Sequence, residues 1–423
     1  MENKIFTVAI IGVGARGGDV YGTLMSREPN KYKIVSLCDL KQDRLDRFSK
    51  EFGVDTADCF IYEEDFFKKK RADILIIATQ DKDHVRHCMK AFELGYDVLL
   101  EKPITDDIEE CHKLLECQKK NGNKALVCHV LRYSPTFLKV AEILDSGAIG
   151  RLVAINSLER VAYWHQAHSF VRGNWRNTKD SAPMILAKCC HDLDLLQYYA
   201  KSKCVSVSSV GDLTFFTPEN APDGAAKRCT ECKYMDTCPY SAKRIYIDRW
   251  EAAGSPVDRW PYNIAANIPL SKEGILSSIS ENAYGRCVFH CDNNVVDHQM
   301  VQMTFENGVK VSHTMTAFTA GSGRRMHFIG TLGEMIFDDA ADPFLTVSVF
   351  GGETTTFKAG DVNDALGYGH GGGDYFLVQN LYELLSGRGE STTSLEASLE
   401  SHLIGAYAEE SRKMGGKLLY VHK

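Results

Sequence analysis

Phe6-Thr7-Val8-Ala9-Ile10-Ile11-Gly12-Val13-Gly14-Ala15-Arg16-Gly17 is an apolar run that ends in a glycine-spaced turn. A strand followed by such a turn and a helix is the context in which glycines let backbone amides approach a pyrophosphate at a helix N-terminus. Gly12, Gly14, Ala15, Arg16 and Gly17 are therefore the candidate phosphate-binding residues. A helix is predicted over 18–27, then a strand over 32–38 ending in Asp39, 22 residues beyond Gly17. A carboxylate there binds the adenine ribose hydroxyls and favours NAD over NADP, although Lys41 and Arg44 stand where they would meet a 2′-phosphate.

Strand and helix signals keep alternating through about the first 125 residues, which predicts a doubly wound parallel sheet. The buried run Ile74-Leu75-Ile76-Ile77 opens a loop bearing Thr79, Gln80 and His84, candidates for the cofactor edge. Asp97-Val98-Leu99-Leu100 leads into Glu101-Lys102-Pro103, which places a lysine at a strand end. Beyond residue 132 the strands read as a large, open, mainly antiparallel sheet in an α+β domain, with Asn307-Gly308 as a hairpin turn. The expected division is 1–128, a Rossmann domain; 129–393, a substrate and oligomerisation domain with a Cys-rich insertion near 212–290; and 394–423, a C-terminal helix packing back on the first domain.

The densest chemistry lies in Pro183-Met184-Ile185-Leu186-Ala187-Lys188-Cys189-Cys190-His191-Asp192-Leu193-Asp194. On one continuous helix Lys188, His191 and Asp194 would share a face. A histidine there can take an alcohol proton while hydride leaves the same carbon. Its alternative is an ordinary core histidine beside a solvated lysine.

The chain resembles the Gfo/Idh/MocA oxidoreductases, through Gly12-Val13-Gly14-Ala15-Arg16-Gly17, Asp39, Glu101-Lys102-Pro103 and His191-Asp192-Leu193-Asp194. The resemblance implies an NAD(P)-dependent enzyme acting on a sugar or cyclitol, with Lys102 touching both nicotinamide and the reacting hydroxyl and His191 as acid/base; with Asp39 the leading reading is an NAD-dependent oxidoreductase of a sugar, glycoside or cyclitol. Asp194 is expected to orient that imidazole. One departure matters. Family dehydrogenases commonly carry Asp four residues before the histidine, where this chain has Ala187, with Lys188 beside it. Lys188 is expected either to polarise a keto oxygen or to pair with an anionic substrate, and to lower the histidine pKa. That departure keeps a second reading open, a glycosidase that retains NAD and oxidises its substrate transiently. A non-enzymatic cofactor sensor is a third, disfavoured by the presence of both Lys102 and His191.

The segment 163–176 is rich in aromatics, His and Arg, as a carbohydrate site would be. Tyr163, His165, His168, Arg172 and Trp175 are its candidate substrate residues, joined by Arg132 and by His370 of a glycine-rich loop. The bland alternatives are a tie between domains and a flexible connector. Cys229, Cys232 and Cys238 form C-x2-C-x5-C. With Cys291, or Cys287 instead, they would make a structural zinc site, an iron–sulfur cluster being the competing reading. Cys38, Cys59, Cys88, Cys111, Cys117, Cys128, Cys189 and Cys190 read as small buried hydrophobes.

With 423 residues, 44% of them hydrophobic, and a formal charge of −7, the chain has ample core and no polyanion-binding signature. No apolar run is long enough to span a membrane. Neither nucleic acid nor membrane is expected as a partner. Fourteen cysteines without an apparent leader read as reduced thiols or metal ligands in a cytoplasmic protein, and the open sheet implies a homo-oligomer by resemblance.

Overall fold

The computed structural model describes residues 4–358 and 369–422. Six parallel strands form the first sheet: β1 (Phe6–Ile11), β2 (Tyr32–Cys38), β3 (Cys59–Phe60), β4 (Ile74–Ile77), β5 (Asp97–Leu100) and β6 (Ala125–Val127), in the order β3-β2-β1-β4-β5-β6. Their runs are almost wholly apolar because helices cover both faces. Ala9, Ile11, Leu75 and Ile77 meet Val85, Cys88, Phe92 and Leu114 on one side. Val8, Ile10, Ile74 and Ile76 meet Leu24, Met25, Leu45 and Phe48 on the other. The strand order reverses between β1 and β4, which opens a ligand crevice at the carboxyl ends of the strands.

Nine strands form the second sheet: β7 (Leu152–Arg160), β8 (Cys204–Asp212), β9 (His298–Phe305), β10 (Lys310–Thr316), β11 (Gly323–Gly330), β12 (Gly333–Asp338), β13 (Leu345–Val349), β14 (Thr354–Phe357) and β15 (Leu419–Tyr420). Their order is β14-β13-β12-β11-β7-β10-β9-β8-β15. Every pairing is antiparallel except β7 with β10, so the sheet is mixed but mostly antiparallel. Gly308, at φ +91°, closes the β9–β10 hairpin at the expected turn. Met303, Phe305, Val311, Met315, Phe328 and Phe337 point into the core, and the alternate residues face outward. Residues 213–297 form a lobe between β8 and β9, built on its own apolar cluster around Tyr246, Trp250, Ile275 and Ile279.

Two elements differ from expectation. The helix Gly373–Leu385, placed by sequence in the second domain, packs on the first sheet. Its buried Leu377, Val378, Leu381 and Tyr382 cover an apolar face of β1 and β2, and Tyr32 Oη donates to Val378 O at 2.8 Å. Residues 183–196 do not make one helix either. They form a turn at Met184–Ala187, a break at Lys188 and Cys189, and a helix from Cys190 to Ala200. The C-terminal helix Leu395–Lys413 bridges both domains, touching β8, the helix Cys190–Ala200 and the helix Ile108–Asn121. No helix among the described residues is long and apolar enough to cross a membrane.

Candidate active site

The turn after β1 is fixed by sterics. Gly12 sits at φ +86°, and a Cβ there would lie 2.4 Å from Ala78 O; at Gly17 it would lie 2.2 Å from Gly12 O. Backbone thus packs against backbone, and the chain turns directly into a wide helical segment, Ala15–Gly22, continued by Thr23–Ser26. Asp39 Oδ2 accepts from Val13 N at 2.8 Å, and its Oδ1 accepts from Lys41 N at 2.9 Å. Arg44 Nη1 lies 3.4 Å from the same carboxylate, so one of the two cations that would meet a 2′-phosphate is paired already. Val13, Gly14, Ala15, Asp19, Lys41 and Arg44 line a cavity of about 550 Å³ whose opposite wall is the lobe segment 263–268. The steric cradle, the carboxylate and the volume fit the adenosine and pyrophosphate half of a dinucleotide.

Arg16 and Glu101 turn inward. Arg16 Nε donates to Glu101 Oε1 at 2.6 Å and its Nη2 to Asp374 Oδ1 at 2.7 Å, while Tyr21 Oη donates to Glu101 Oε1 at 2.8 Å. Burial would raise the Glu101 pKa, but Arg16 and Lys102 outweigh it and keep the carboxylate ionised. Glu101 Oε2 also accepts from Lys102 N at 3.0 Å, fixing the backbone from which Lys102 projects. These two residues therefore brace the β1 turn against the β5 end. His84 does similar work, with Nδ1 2.7 Å from Pro103 O and Nε2 3.2 Å from Thr79 O. Thr79 Oγ1 lies 3.1 Å from His87 Nδ1, and Gln80 is exposed.

Lys102 Nζ reaches Ala187 O at 3.4 Å, the position where the family carboxylate is missing. His191 is buried, and its Nδ1 has no hydrogen-bond partner. Burial lowers its pKa well below the usual histidine value, and Lys102, His370, Arg324 and His129 push the same way. The ring is therefore held as a neutral imidazole, with Nδ1 enclosed. His370 lies 5.9 Å from it, centroid to centroid, and is aimed by Asp374, whose Oδ2 is 3.0 Å from His370 Nδ1. Since Asp374 also holds Arg16, one carboxylate ties the glycine-rich loop at 369–373 to the cofactor turn.

Two expected partnerships are corrected. Asp194 does not touch His191. Its carboxylate accepts from Arg132 Nε at 2.7 Å and Nη2 at 2.8 Å, both residues being buried. Arg132, expected in the cleft, is thereby a buried strut. Lys188 does not share a helix face with His191, because the break at 188–189 rotates it away. Its Nζ pairs with Glu159 Oε1 at 2.9 Å, and Glu159 Oε2 pairs with Arg324 at 3.2 Å. Arg324 also spans both oxygens of Asp192, at 2.9 and 3.2 Å. The expected lowering of the His191 pKa is present, but its main charged cause is Lys102; the lysine at 188 acts on His165 instead. Cys189, Asp192 and His313 hold ligand atoms within 4.8 Å of one another. With Arg324 on Asp192 they form a charge-balanced core rather than a cation site.

The 163–176 segment divides between cleft and core. His165, half-buried and flanked by Trp260 at 5.1 Å, has its pKa lowered by burial and then by Lys188, His168 and Lys102, which puts it on the side of both lysines. Tyr163 is half-buried against Tyr240. His168 is a core residue, stacked 5.0 Å from Tyr284 with Nδ1 2.9 Å from Tyr246 Oη. Trp175 Nε1 donates to Asp81 Oδ1 at 3.3 Å, and Asp81 Oδ2 accepts from Ala182 N, which ties the two domains. Arg172 is buried beside Cys229. Sequence reasoning missed Glu159, Trp260 and Arg324. Asp81 and Asp374 lie in loops it singled out, without a role assigned to either.

Two family profiles match the chain in succession: "Oxidoreductase family, NAD-binding Rossmann fold" over residues 6–129 and "GFO/IDH/MocA C-terminal domain" over 137–228. The chain belongs to the Gfo/Idh/MocA oxidoreductases. Among its relatives, YteT of Bacillus subtilis (strain 168) is 24% identical over 397 residues, 90% of this chain and 89% of that one. Inositol 2-dehydrogenase 2 of Saccharopolyspora erythraea is 23% identical over 205 residues, 48% of this chain and 56% of the relative. The chain thus spans little more than half the length of that inositol dehydrogenase. Levoglucosan dehydrogenase, solved with NADH and L-sorbose, superposes with a TM-score of 0.72 at 16% identity, covering 99% of this chain and all of that one. Such a distant structural likeness carries the fold and no more. The Gfo/Idh/MocA membership confirms the NAD-binding domain and the two-sheet architecture read from the glycine turn.

Proposed function

We propose that this chain transfers hydride between NAD and a secondary hydroxyl of a sugar, glycoside or cyclitol. The observation that carries the reading is the closeness of Lys102 to a buried His191 whose pKa it helps to lower, at the carboxyl edge of the parallel sheet. Bound NAD supplies the hydride acceptor. The side chains do the rest. Lys102, held by Glu101 through its backbone, donates to the reacting hydroxyl oxygen and stabilises the negative charge that grows there. The His191 imidazole accepts the proton, which its lowered pKa leaves room for at neutral pH. His165 and Trp260 supply a polar edge and an apolar face, the combination a sugar ring needs. Asp39, with Arg44 already paired to it, favours NAD over NADP. The cross-strand neighbours Val210 and Met300, about half exposed on the outer face of the second sheet, support a pairing of two such sheets.

The deciding assay incubates the chain with excess NAD or NADP and a panel of cyclitols, free sugars and glycosides, following NADH absorbance and aglycone release in parallel. Sustained NADH formation, faster with NAD, is expected. Aglycone release without net NADH would overturn net dehydrogenation.

Lys188 is a second test of the same site. It faces His165, and a charge-assisted hydrogen bond to substrate is worth ~1.5–3 kcal/mol. Lys188→Ala is therefore expected to lower kcat/KM by about 10- to 100-fold. An unchanged value would confine Lys188 to its pair with Glu159.

A further inference from the structure

We infer that Cys229, Cys232, Cys238 and Cys287 bind a single zinc-like divalent ion through four thiolates and so clamp the lobe that walls the dinucleotide cavity. Two segments bring these residues together. The turns at Cys229–Glu231 and 232–238 present the first three, with Cys232 N bonded to Cys229 O and Cys238 N to Tyr234 O. An antiparallel bridge between Arg228 and Arg286, with Cys287 N donating to Lys227 O at 2.9 Å, lays the fourth beside them. All four line one cavity of about 20 Å³, room for a single small occupant. Cys287 is in that wall and Cys291 is not; the Cys291 thiol bonds to Cys287 O at 3.3 Å instead.

An independent observation points to the occupant. Arg172 is 1% exposed and lines the same cavity. Its guanidinium donates to Arg286 O at 2.7 Å, to Tyr240 O at 2.8 Å and to Cys229 Sγ at 3.5 Å, and its Nη1 has no partner. Among the described residues no carboxylate pairs with it. A guanidinium stays protonated at any ordinary pH and needs an anion when buried. Four neutral thiols do not supply one. Four thiolates around a divalent cation carry a net double negative charge, which the buried arginine offsets. Binding releases the thiol protons to solvent and involves no redox step. No three of the four sulfurs all lie within 4.8 Å of one another, so holding a tetrahedral ion with bonds of ~2.3 Å would need the two segments to close on it.

The clamp reaches the cofactor cavity through Arg228, itself one half of the bridge, which donates to Ser280 O at 2.7 Å and Asn282 O at 2.8 Å. Asn282 is part of the cavity wall.

The test is elemental analysis of the full chain purified without chelator, followed by exchange with cobalt(II). About one zinc per chain is expected, and cobalt should give the visible bands of a tetrahedral tetrathiolate. Cys232→Ser and Cys287→Ser should lose the metal, and Cys291→Ser should keep it. Folded protein that holds no metal and gives no cobalt band would overturn the proposal, as would a brown chromophore with several irons. Metal retained in Cys287→Ser but lost in Cys291→Ser would overturn the ligand set. None of these readouts depends on hydride transfer, so the two readings fail separately.

Discussion

His191→Ala is expected to lower kcat for oxidation by about 10²- to 10⁴-fold, the range a positioned general base contributes, with NAD affinity unchanged. The imidazole is buried, its Nδ1 has no partner, and it lies outside the wall of the dinucleotide cavity. The pH dependence follows from the same environment. Burial, then Lys102, His370, Arg324 and His129, lower its pKa well below 6.5. The neutral form is the base, so it is fully present at pH 7 and is lost only as pH falls through the depressed value. The acid limb of kcat/KM against pH should therefore lie clearly below 6.5 in the wild-type enzyme and vanish in His191→Ala. An acid limb at or above 6.5, or a variant with wild-type kcat, would remove His191 from the chemistry. Lys102→Met should raise the histidine pKa and move the limb upward, because it deletes the first of the charged groups acting on the ring.

Arg132→Met should cost about 3–5 kcal/mol of stability, the usual penalty for leaving one member of a buried ion pair uncompensated. Asp194 is 1% exposed and takes two hydrogen bonds from Arg132, at 2.7 and 2.8 Å. The arginine also donates to Thr392 O at 2.9 Å, so it joins the segment after β6, the helix Cys190–Ala200 and the chain entering the C-terminal helix. The measurement is the thermal midpoint of the variant beside that of Arg132→Met/Asp194→Leu. The double variant should recover most of the loss, because no buried charge is then left alone. Equal loss in both would mean that packing around the guanidinium stem, not the charge, is what holds this joint.

Local rules made one half of this protein readable. A 3.6-residue or two-residue apolar period, a glycine whose Cβ would strike Ala78 O, and a lysine two residues past a buried strand are all written within a few positions of one another. They define the parallel sheet, its switch point, the cofactor turn, Lys102 and the Asn307-Gly308 hairpin. Residue spacing also selects Cys229, Cys232 and Cys238, since a metal knuckle is a local structure. Which of Cys287 and Cys291 stands beside these three was not legible, because the two are four residues apart and only the bridge of Arg228 to Arg286 puts one of them in the cavity.

Tertiary structure decided the partners of charge. Sequence spacing aligned Lys188, His191 and Asp194 on one helix, but a break at residues 188–189 sends the lysine to Glu159 and leaves the aspartate to Arg132, 62 residues away. A buried ion must find its counter-ion wherever the fold brings one, and that distance in space has no image in the local sequence. The same reason hid Arg324 and the partners of Asp81 and Asp374, and it placed the helix Gly373–Leu385 on the first sheet, whose open apolar face needed a cover. The sequence alone determined the fold and its NAD-binding domain; the packing of distant segments determined which charges are paired and with what.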